Sequence, residues 1–420
     1  MMMHDFRYQS GELYCESVRV ADIAKRVGTP FYVYSYKTLT EHLAKLQKAF
    51  RSAKPLICFS MKANSNLAVL RSLVKKGAGL DIVSGGELFR ARKAGCPPSK
   101  IVYAGVGKTD TELEEAIRCG VFLFNVESIP ELEQIQDIAE RLRRHVNVSL
   151  RLNPEVDPMT HDHIATAKTE SKFGLALDTA LATFCRAAAF PNVSLCGVHV
   201  HIGSQIVRGE PFVKALRKVL IFVTHLEKKG IRIRFLNIGG GLGIIYSDER
   251  PQTAGAFAKR ILPMLRGRSF RLILEPGRFI AGNSGIFVTR TLYIKKTAVK
   301  NFVIVDGGMN DLIRPALYDS FHDVWPLTLE GRTVKRRYDV VGPICESADC
   351  LAKNRLLQEI KSGDFIALAS AGAYGFTMSS NYNARPRSAE VLVRGRRFQV
   401  VRARETRTDL IRGERIPRWV

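Results

Sequence analysis

One lysine, a pair of histidines, a glycine run and a carboxylate are the side chains here whose types and spacing can do chemistry. Lys62 follows Pro55-Leu56-Ile57-Cys58-Phe59-Ser60-Met61, an apolar run that reads as a short buried strand. An amine at the end of such a strand can be partly desolvated, which lowers its pKa and frees a nucleophile able to form a Schiff base with an aldehyde. Read alone, the signal of Lys62 is weak, because most lysines after strands are solvated surface charges. His199-Val200-His201 and His161-Asp162-His163 have the spacing of metal-ligand pairs, although alternation along a strand gives the first pair the same look. His201 can also stack on an aromatic ring or fill a core. Gly239-Gly240-Gly241-Leu242-Gly243 lets backbone N–H groups approach an anion, or makes a tight turn. Glu275 can pair with Arg278, three residues on, or keep a pyridinium nitrogen protonated.

These groups need elements that bring them to one place. Apolar strand candidates fall near 57–60, 80–83, 101–104, 121–125, 146–152, 195–201, 234–238 and 271–274, with segments between them that mostly read as amphipathic helices. Residues 36–51 carry helical spacing through Leu39, Leu43, Leu46 and Phe50, and Glu127 to Arg144 is a second plain helix. Thr109-Asp110-Thr111-Glu112 suits a helix start, while Gly77, Gly95 and Gly120 stand where helices end. Eight repeats of strand then helix predict a (β/α)8 TIM-type barrel, an α/β fold, over residues 30–284. The carboxyl ends of its strands would then carry Lys62, Ser84-Gly85-Gly86-Glu87, His201, the glycine run and Glu275. A phosphate site after the seventh strand is habitual for this fold. Lysine, phosphate turn, planar imidazole and carboxylate together fit pyridoxal 5'-phosphate, and metal-assisted hydrolysis fits less well.

From Gly285 the pattern changes to strands without long helices: 286–297, 302–306, 334–341, 365–371 and 391–402. Residues 1–29 and 285–420 are therefore expected to form a second, mainly β domain, with Leu13-Tyr14-Cys15 and Val18-Arg19-Val20 adding a strand to it.

Composition excludes several classes. Hydrophobic residues at 46% and charged residues at 25% are ordinary for a globular protein, and no stretch approaches the about eighteen apolar residues of a membrane span. The start lacks the basic-then-apolar pattern of a secretory signal, and the eight cysteines show no C-x-x-C pair, so a cytoplasmic, reduced protein is expected. Lys+Arg 64 against Asp+Glu 40 gives +24. The arginines of Val393-Arg394-Gly395-Arg396-Arg397-Phe398 are not interleaved with stacking aromatics, so a solvated basic face is favoured over a nucleic-acid site.

Phe59-Ser60-Met61-Lys62-Ala63-Asn64, His201-Ile202-Gly203-Ser204-Gln205, Gly239-Gly240-Gly241-Leu242-Gly243 and Glu275-Pro276-Gly277-Arg278 resemble the fold-type III pyridoxal-phosphate decarboxylases. Asp306-Gly307-Gly308-Met309-Asn310-Asp311-Leu312-Ile313-Arg314-Pro315-Ala316-Leu317-Tyr318, Gly342-Pro343-Ile344-Cys345-Glu346-Ser347-Ala348-Asp349 and Gly372-Ala373-Tyr374-Gly375 are similar to the diaminopimelate decarboxylase family within that group. The resemblance runs over nearly the whole chain; the basic C-terminus departs from it. It implies conversion of meso-2,6-diaminopimelate to L-lysine and carbon dioxide, the last step of lysine biosynthesis. It also assigns roles. Lys62 holds the cofactor and Cys345 is the proton donor, the bland reading of Cys345 being a small apolar residue. His201, Ser204, Gly239, Gly240, Gly241, Glu275, Gly277, Arg278 and Tyr374 contact the cofactor. Arg278, Arg314, Tyr318, Glu346 and Tyr374 contact a dicarboxylic diamino acid, two arginines suiting two carboxylates. A homodimer with shared active sites is implied as well, because Cys345 lies in the β domain. Three rivals share the cofactor: a decarboxylase of another basic amino acid or carboxylated polyamine, an amino-acid racemase, and a non-catalytic carrier.

Overall fold

The opening residues alternate apolar and polar over very short runs, and they pair locally. β1 (Phe6–Gln9), β2 (Glu12–Cys15) and β3 (Val18–Arg19) form an antiparallel sheet of their own, followed by α1 (Val20–Val27), β4 (Phe31–Ser35) and α2 (Tyr36–Ala49). The sequence reading assigned this segment to the mainly β domain, and residues up to Leu39 do group with Ala281–Val420. Its three strands form a small sheet of their own, which joins the later residues through the Glu12–Thr328 bridge, backbone bonds to Leu327 and Leu329, and a shared core with Ile286, Ala389 and Val391. The computed structural model describes residues 4–157, 172–329 and 334–420. His161-Asp162-His163 therefore lie outside the described residues.

The described chain divides into two units, Met1–Leu39 with Tyr246–Asp248 and Ala281–Val420, and Thr40–Ile245 with Glu249–Ile280. The second is the barrel. β5 (Leu56–Ser60), β6 (Gly79–Ile82), β7 (Ile101–Tyr103), β8 (Leu123–Val126), β9 (Val146–Arg151), β10 (Val193–His199), β11 (Phe235–Asn237) and β12 (Arg271–Leu274) close into a ring of parallel pairs. All eight strands fall where the apolar runs predicted them. Between them run α3 (Leu67–Lys75), α4 (Gly85–Lys93), α5 (Asp110–Cys119), α6 (Ile129–Arg141), α7 (Leu177–Cys185), α8 (Glu210–Lys228) and α9 (Ala254–Ile261). Local chemistry explains the ends: Thr109 and Glu112 form a reciprocal capping box on α5, and Gly120 closes that helix at φ 74°. The base of the barrel is filled by Leu56, Cys58, Val102, Leu123, Cys196 and Ile273.

The other unit is built on one large sheet. After α10 (Arg278–Ala281), β13 (Gly285–Lys296), β14 (Asn301–Val305), α11 (Arg314–Tyr318), β15 (Val324–Pro326), β16 (Lys335–Val341), β17 (Cys350–Gln358), β18 (Phe365–Leu368), β19 (Ala389–Arg394) and β20 (Arg397–Arg402) follow. The strand path is β17-β16-β14-β13-β4-β19-β20, with β18 also on β13 and β15 on β18. β4 falls inside the span 30–284 read as barrel, yet it pairs antiparallel with β13 and parallel with β19. All five of its residues are buried, and Phe31 and Val33 pack with Phe6, Leu13, Ile286, Val288, Ala389 and Val391. The run read as one strand over 391–402 is a hairpin, turned at Gly395 with φ 59°.

Candidate active site

The carboxyl end of the barrel interior is polar. Ser60, Asp81, Asn125, Ser149, Arg151, His199 and Asn237 sit on or at the ends of their strands and are all buried, with Glu275 just beyond β12. A polar group in such a place needs partners, and most of them are found.

Glu275 is the centre. Its Oε1 accepts from Asn125 Nδ2 at 2.9 Å and from Asn237 Nδ2 at 2.5 Å, and Oε2 stands 3.3 Å from His199 Nε2. Burial alone would raise this carboxyl, but the charge of His199 and the amide donors outweigh it and bring the pKa down to about 2. The result is a fixed, ionised carboxylate just beyond β12. It does not pair with Arg278: that guanidinium, also buried, donates from Nε and Nη2 to Ser204 Oγ at 3.1 and 3.0 Å.

Asp81 takes the opposite state. Burial first, and the Glu275 charge next, raise its carboxyl well above the ordinary range. The Ser60 hydroxyl lies 2.7 Å from Asp81 Oδ2 and 3.0 Å from the Glu275 carbonyl oxygen. That hydroxyl has one proton, and a carbonyl can only accept. A neutral Asp81 donating from Oδ2 to Ser60, which then donates to the carbonyl, fits both distances, with Asp81 Oδ1 left buried and without a hydrogen-bond partner among the described residues.

Lys62 sits in the 3-10 turn Met61–Ala63 directly after β5, between buried Met61 and Ala63. The sequence reading had it partly desolvated. It is exposed in the single chain, and its positive charge acts on Asp81, Glu87 and His201. Glu87 accepts from the Val83 N–H at 2.8 Å, and burial pushes its carboxyl up to about 7 against the pull of that donor, Lys62 and Arg90.

His201 follows β10. Burial, then the charges of Lys62 and Arg151, hold its pKa well below the ordinary value, so the ring is a neutral imidazole. The Gly240 N–H faces its Nδ1 at 3.3 Å, which fixes that nitrogen as an acceptor. Gly239 and Gly241 have φ of 65° and 102°, and a Cβ on Gly240 would stand 2.1 Å from the Glu275 carbonyl oxygen. Only glycine fits this turn. Two of its N–H groups already have side-chain acceptors, Asn237 Oδ1 for Gly239 at 2.9 Å and His201 for Gly240, so a phosphate must compete for them. Gly277 is buried just ahead of α10, which begins at Arg278.

The β unit holds the remaining candidates. Arg314 opens α11 and is buried; its Nε donates to His322 Nε2 at 3.4 Å and its Nη2 to Ser320 Oγ at 3.1 Å. Its guanidinium carbon lies 5.3 Å from the Tyr246 ring centre and 5.8 Å from that of Tyr318. Cys345 and Glu346 are exposed on the loop between β16 and β17. That loop is pinned: Asp349 Oδ1 accepts from the Met309 N–H and Oδ2 from the Ile344 N–H, both at 2.7 Å, and the Cys345 N–H donates to Asn383 Oδ1 at 2.7 Å. A Cβ on Gly342 would meet the Asp349 carboxylate at 2.4 Å, so the glycine is required. Tyr374 adopts φ 56°, a conformation that costs energy for a bulky residue and clusters at functional sites.

Sequence reasoning missed Asp81, Asn125, Arg151, Asn237, Asp349 and His322. A readable signal existed for the strand residues, a lone polar residue inside a very short apolar strand as in Leu80-Asp81-Ile82 or Leu123-Phe124-Asn125-Val126. The donor set of the barrel suits a phosphorylated pyridine aldehyde: an amine at Lys62, a neutral flat ring at His201, an ionised carboxylate at Glu275, and hydroxyl and guanidinium at Ser204 and Arg278. No group of three or more His, Cys, Asp or Glu able to hold a metal ion occurs among the described residues.

Comparison with known proteins agrees with this chemistry. Residues 36–282 match the family model described as pyridoxal-dependent decarboxylase, pyridoxal binding domain. The diaminopimelate decarboxylase of Pseudomonas aeruginosa is 49% identical over 98% of this chain and 99% of its own, and that of Vibrio cholerae is 46% identical over 97% and 98%. The crystal structure of diaminopimelate decarboxylase from M. jannaschii in co-complex with L-lysine superposes with a TM-score of 0.95 at 36% identity, covering 99% of each chain. Matches of this identity and extent leave one assignment: the chain belongs to the diaminopimelate decarboxylase family of pyridoxal-dependent enzymes.

Proposed function

We propose that this chain decarboxylates meso-2,6-diaminopimelate to L-lysine and carbon dioxide, with pyridoxal 5'-phosphate held in the barrel unit. The observation that carries the reading is the buried Glu275 carboxylate, fixed by Asn125 and Asn237 at 2.9 and 2.5 Å and facing His199 Nε2 at 3.3 Å, with a pKa held below the ordinary range. Such a group holds a proton on a pyridine nitrogen, which a neutral acid could not do. When bound, pyridoxal phosphate supplies the sink for the electrons of the breaking carbon–carbon bond.

The protein's own residues do the rest. The Lys62 amine attaches the cofactor, His201 covers its ring, and the Gly239–Gly241 turn, Ser204, Gly277, Arg278 and Tyr374 receive its phosphate. Arg278 and Arg314 grip the two substrate carboxylates, Glu346 reads the distal ammonium, and Tyr318 and Tyr374 add hydroxyl contacts. Cys345 Sγ gives a proton to the carbon that has lost carbon dioxide.

We further propose a two-fold homodimer acting in the cytoplasm, in which Lys62 and Cys345 of one site come from different chains. What supports this is the exposure of Cys345 and Glu346 in the single chain, on a loop held rigid by Asp349. The assay is carbon dioxide release from meso-diaminopimelate, lysine, ornithine and arginine by purified protein with pyridoxal phosphate. Diaminopimelate should be turned over at least ~100-fold faster than the others, since a substrate lacking one carboxylate forgoes one of the two arginine–carboxylate contacts. Preference for ornithine or lysine would transfer the assignment to the mono-carboxylate decarboxylases.

A further inference from the structure

His322 is fully buried, and both ring nitrogens have defined neighbours. Nδ1 lies 2.7 Å from the Ala369 carbonyl oxygen, which can only accept, so Nδ1 carries the proton. Nε2 is then a lone pair, and the Arg314 Nε–H donates to it at 3.4 Å. The Tyr246 ring meets His322 edge-on with centres 5.5 Å apart while also lying 5.3 Å from the Arg314 guanidinium carbon. Ser320 takes a second guanidinium proton at Nη2.

A guanidinium can grip a carboxylate side-on through Nε and one Nη, or end-on through Nη1 and Nη2. The side-on mode breaks the bond to His322. The end-on mode keeps both that bond and the bond to Ser320, because Nη2 carries two protons.

We propose that His322 is a positioning residue, whose Nε2 lone pair sets the Arg314 guanidinium for end-on capture of the substrate carboxylate that remains in the product. The retained carboxylate is the sensible target, because holding the departing one would stabilise the state before bond breaking. This inference rests on the reading of Arg314 as a carboxylate clamp.

The test uses holoenzyme of the wild type, Arg314→Ala, His322→Asn and His322→Gln, with steady-state kinetics, L-lysine affinity by calorimetry, and thermal melts. Asparagine keeps a donor near the Nδ1 position for Ala369 and has no acceptor at the Nε2 position; glutamine restores an acceptor there. His322→Asn should raise KM about 10-fold and weaken lysine binding by a similar factor, with kcat within about 3-fold of wild type, and His322→Gln should recover most of both. Equal defects in Asn and Gln, or unchanged KM and lysine affinity in His322→Asn, overturn the positioning role alone, provided Arg314→Ala shows its own loss. If Arg314→Ala leaves KM and lysine affinity unchanged, the clamp fails and the inference with it.

Discussion

The two units that carry the candidate residues are built in opposite ways. In the barrel the groups around Glu275 form a buried hydrogen-bond network, with Glu275 on two amides, Arg278 on Ser204 and Gly240 on His201, while Lys62 is exposed. In the β unit Arg314 is buried against His322 and Ser320, while Cys345 and Glu346 stand exposed and the backbone beneath them carries the rigidity through Asp349. The contrast teaches where preorganisation has to be supplied. Groups that hold a charged heteroaromatic ring must be fixed and desolvated before it arrives. If Cys345 serves another subunit's site, as proposed, it must stay reachable, and a fixed loop beneath an exposed side chain suits that role.

The sharpest break of this comparison is Lys62→Ala. Activity should fall at least ~1000-fold, and borohydride reduction of wild type followed by mass spectrometry should place the cofactor adduct on Lys62. An adduct on another lysine ends the barrel half of the account.

Chain mixing probes the other half. Lys62→Ala and Cys345→Ala, each nearly inactive, should recover about a quarter of wild-type activity after exchange, since half the dimers are hybrids and each hybrid keeps one sound site of two. Persistent inactivity after verified exchange would falsify the shared site and leave Lys62 untouched.

A milder loss is expected from Asp349→Ala, which leaves the Met309 and Ile344 N–H groups without their acceptor. About 1–3 kcal/mol of stability should go with each unmet buried donor, and kcat should drop about 10-fold while cofactor affinity is unchanged. Parallel loss of cofactor affinity would show that the two halves are not separable.

The smallest effect concerns Glu87. Its folded pKa of about 7 lies above the ordinary 4.5, so between those values the folded protein keeps a proton that the unfolded chain has lost. Stability therefore falls as pH rises from about 4.5 to 7. Glu87→Gln, which keeps an acceptor for the Val83 N–H, should change stability little at pH 4 and raise it at pH 8 by up to about 3 kcal/mol in urea melts. An equal effect at both pH values would remove the titration.

The barrel strands were legible because each is a short apolar run between glycine-marked helix ends, as at Gly77, Gly95 and Gly120. The buried polar set was not, because a single Asp81 or Asn125 looks like an interruption until the ring closes and aims it inward. β4 was misplaced for a different reason: Phe31–Ser35 reads as a strand, but its partners β13 and β19 are about 250 and 350 residues away, and local pattern carries no pairing information. β17 was overlooked because Lys353, Asn354 and Arg355 break the apolar alternation, although Leu351, Ala352 and Leu357 are buried. His322 lies eight residues beyond Arg314 with no periodicity linking them, and only tertiary contact joins the pair.

The placement of β4 also governs how the chain is made. It lies in the middle of the large sheet, yet its antiparallel partner β13 begins only at Gly285, after the whole barrel has been translated. At roughly 5–20 residues per second the intervening stretch takes about 13–50 s to synthesise. For that time β4 has neither of its neighbours, and five consecutive side chains destined for the interior wait without their sheet. The barrel, whose strand pairs are all internal to it, can form during this interval. Maturation of the sheet is thus timed by synthesis, and a nascent chain stalled before Gly285 presents a bare apolar strand to any chaperone at the ribosome exit.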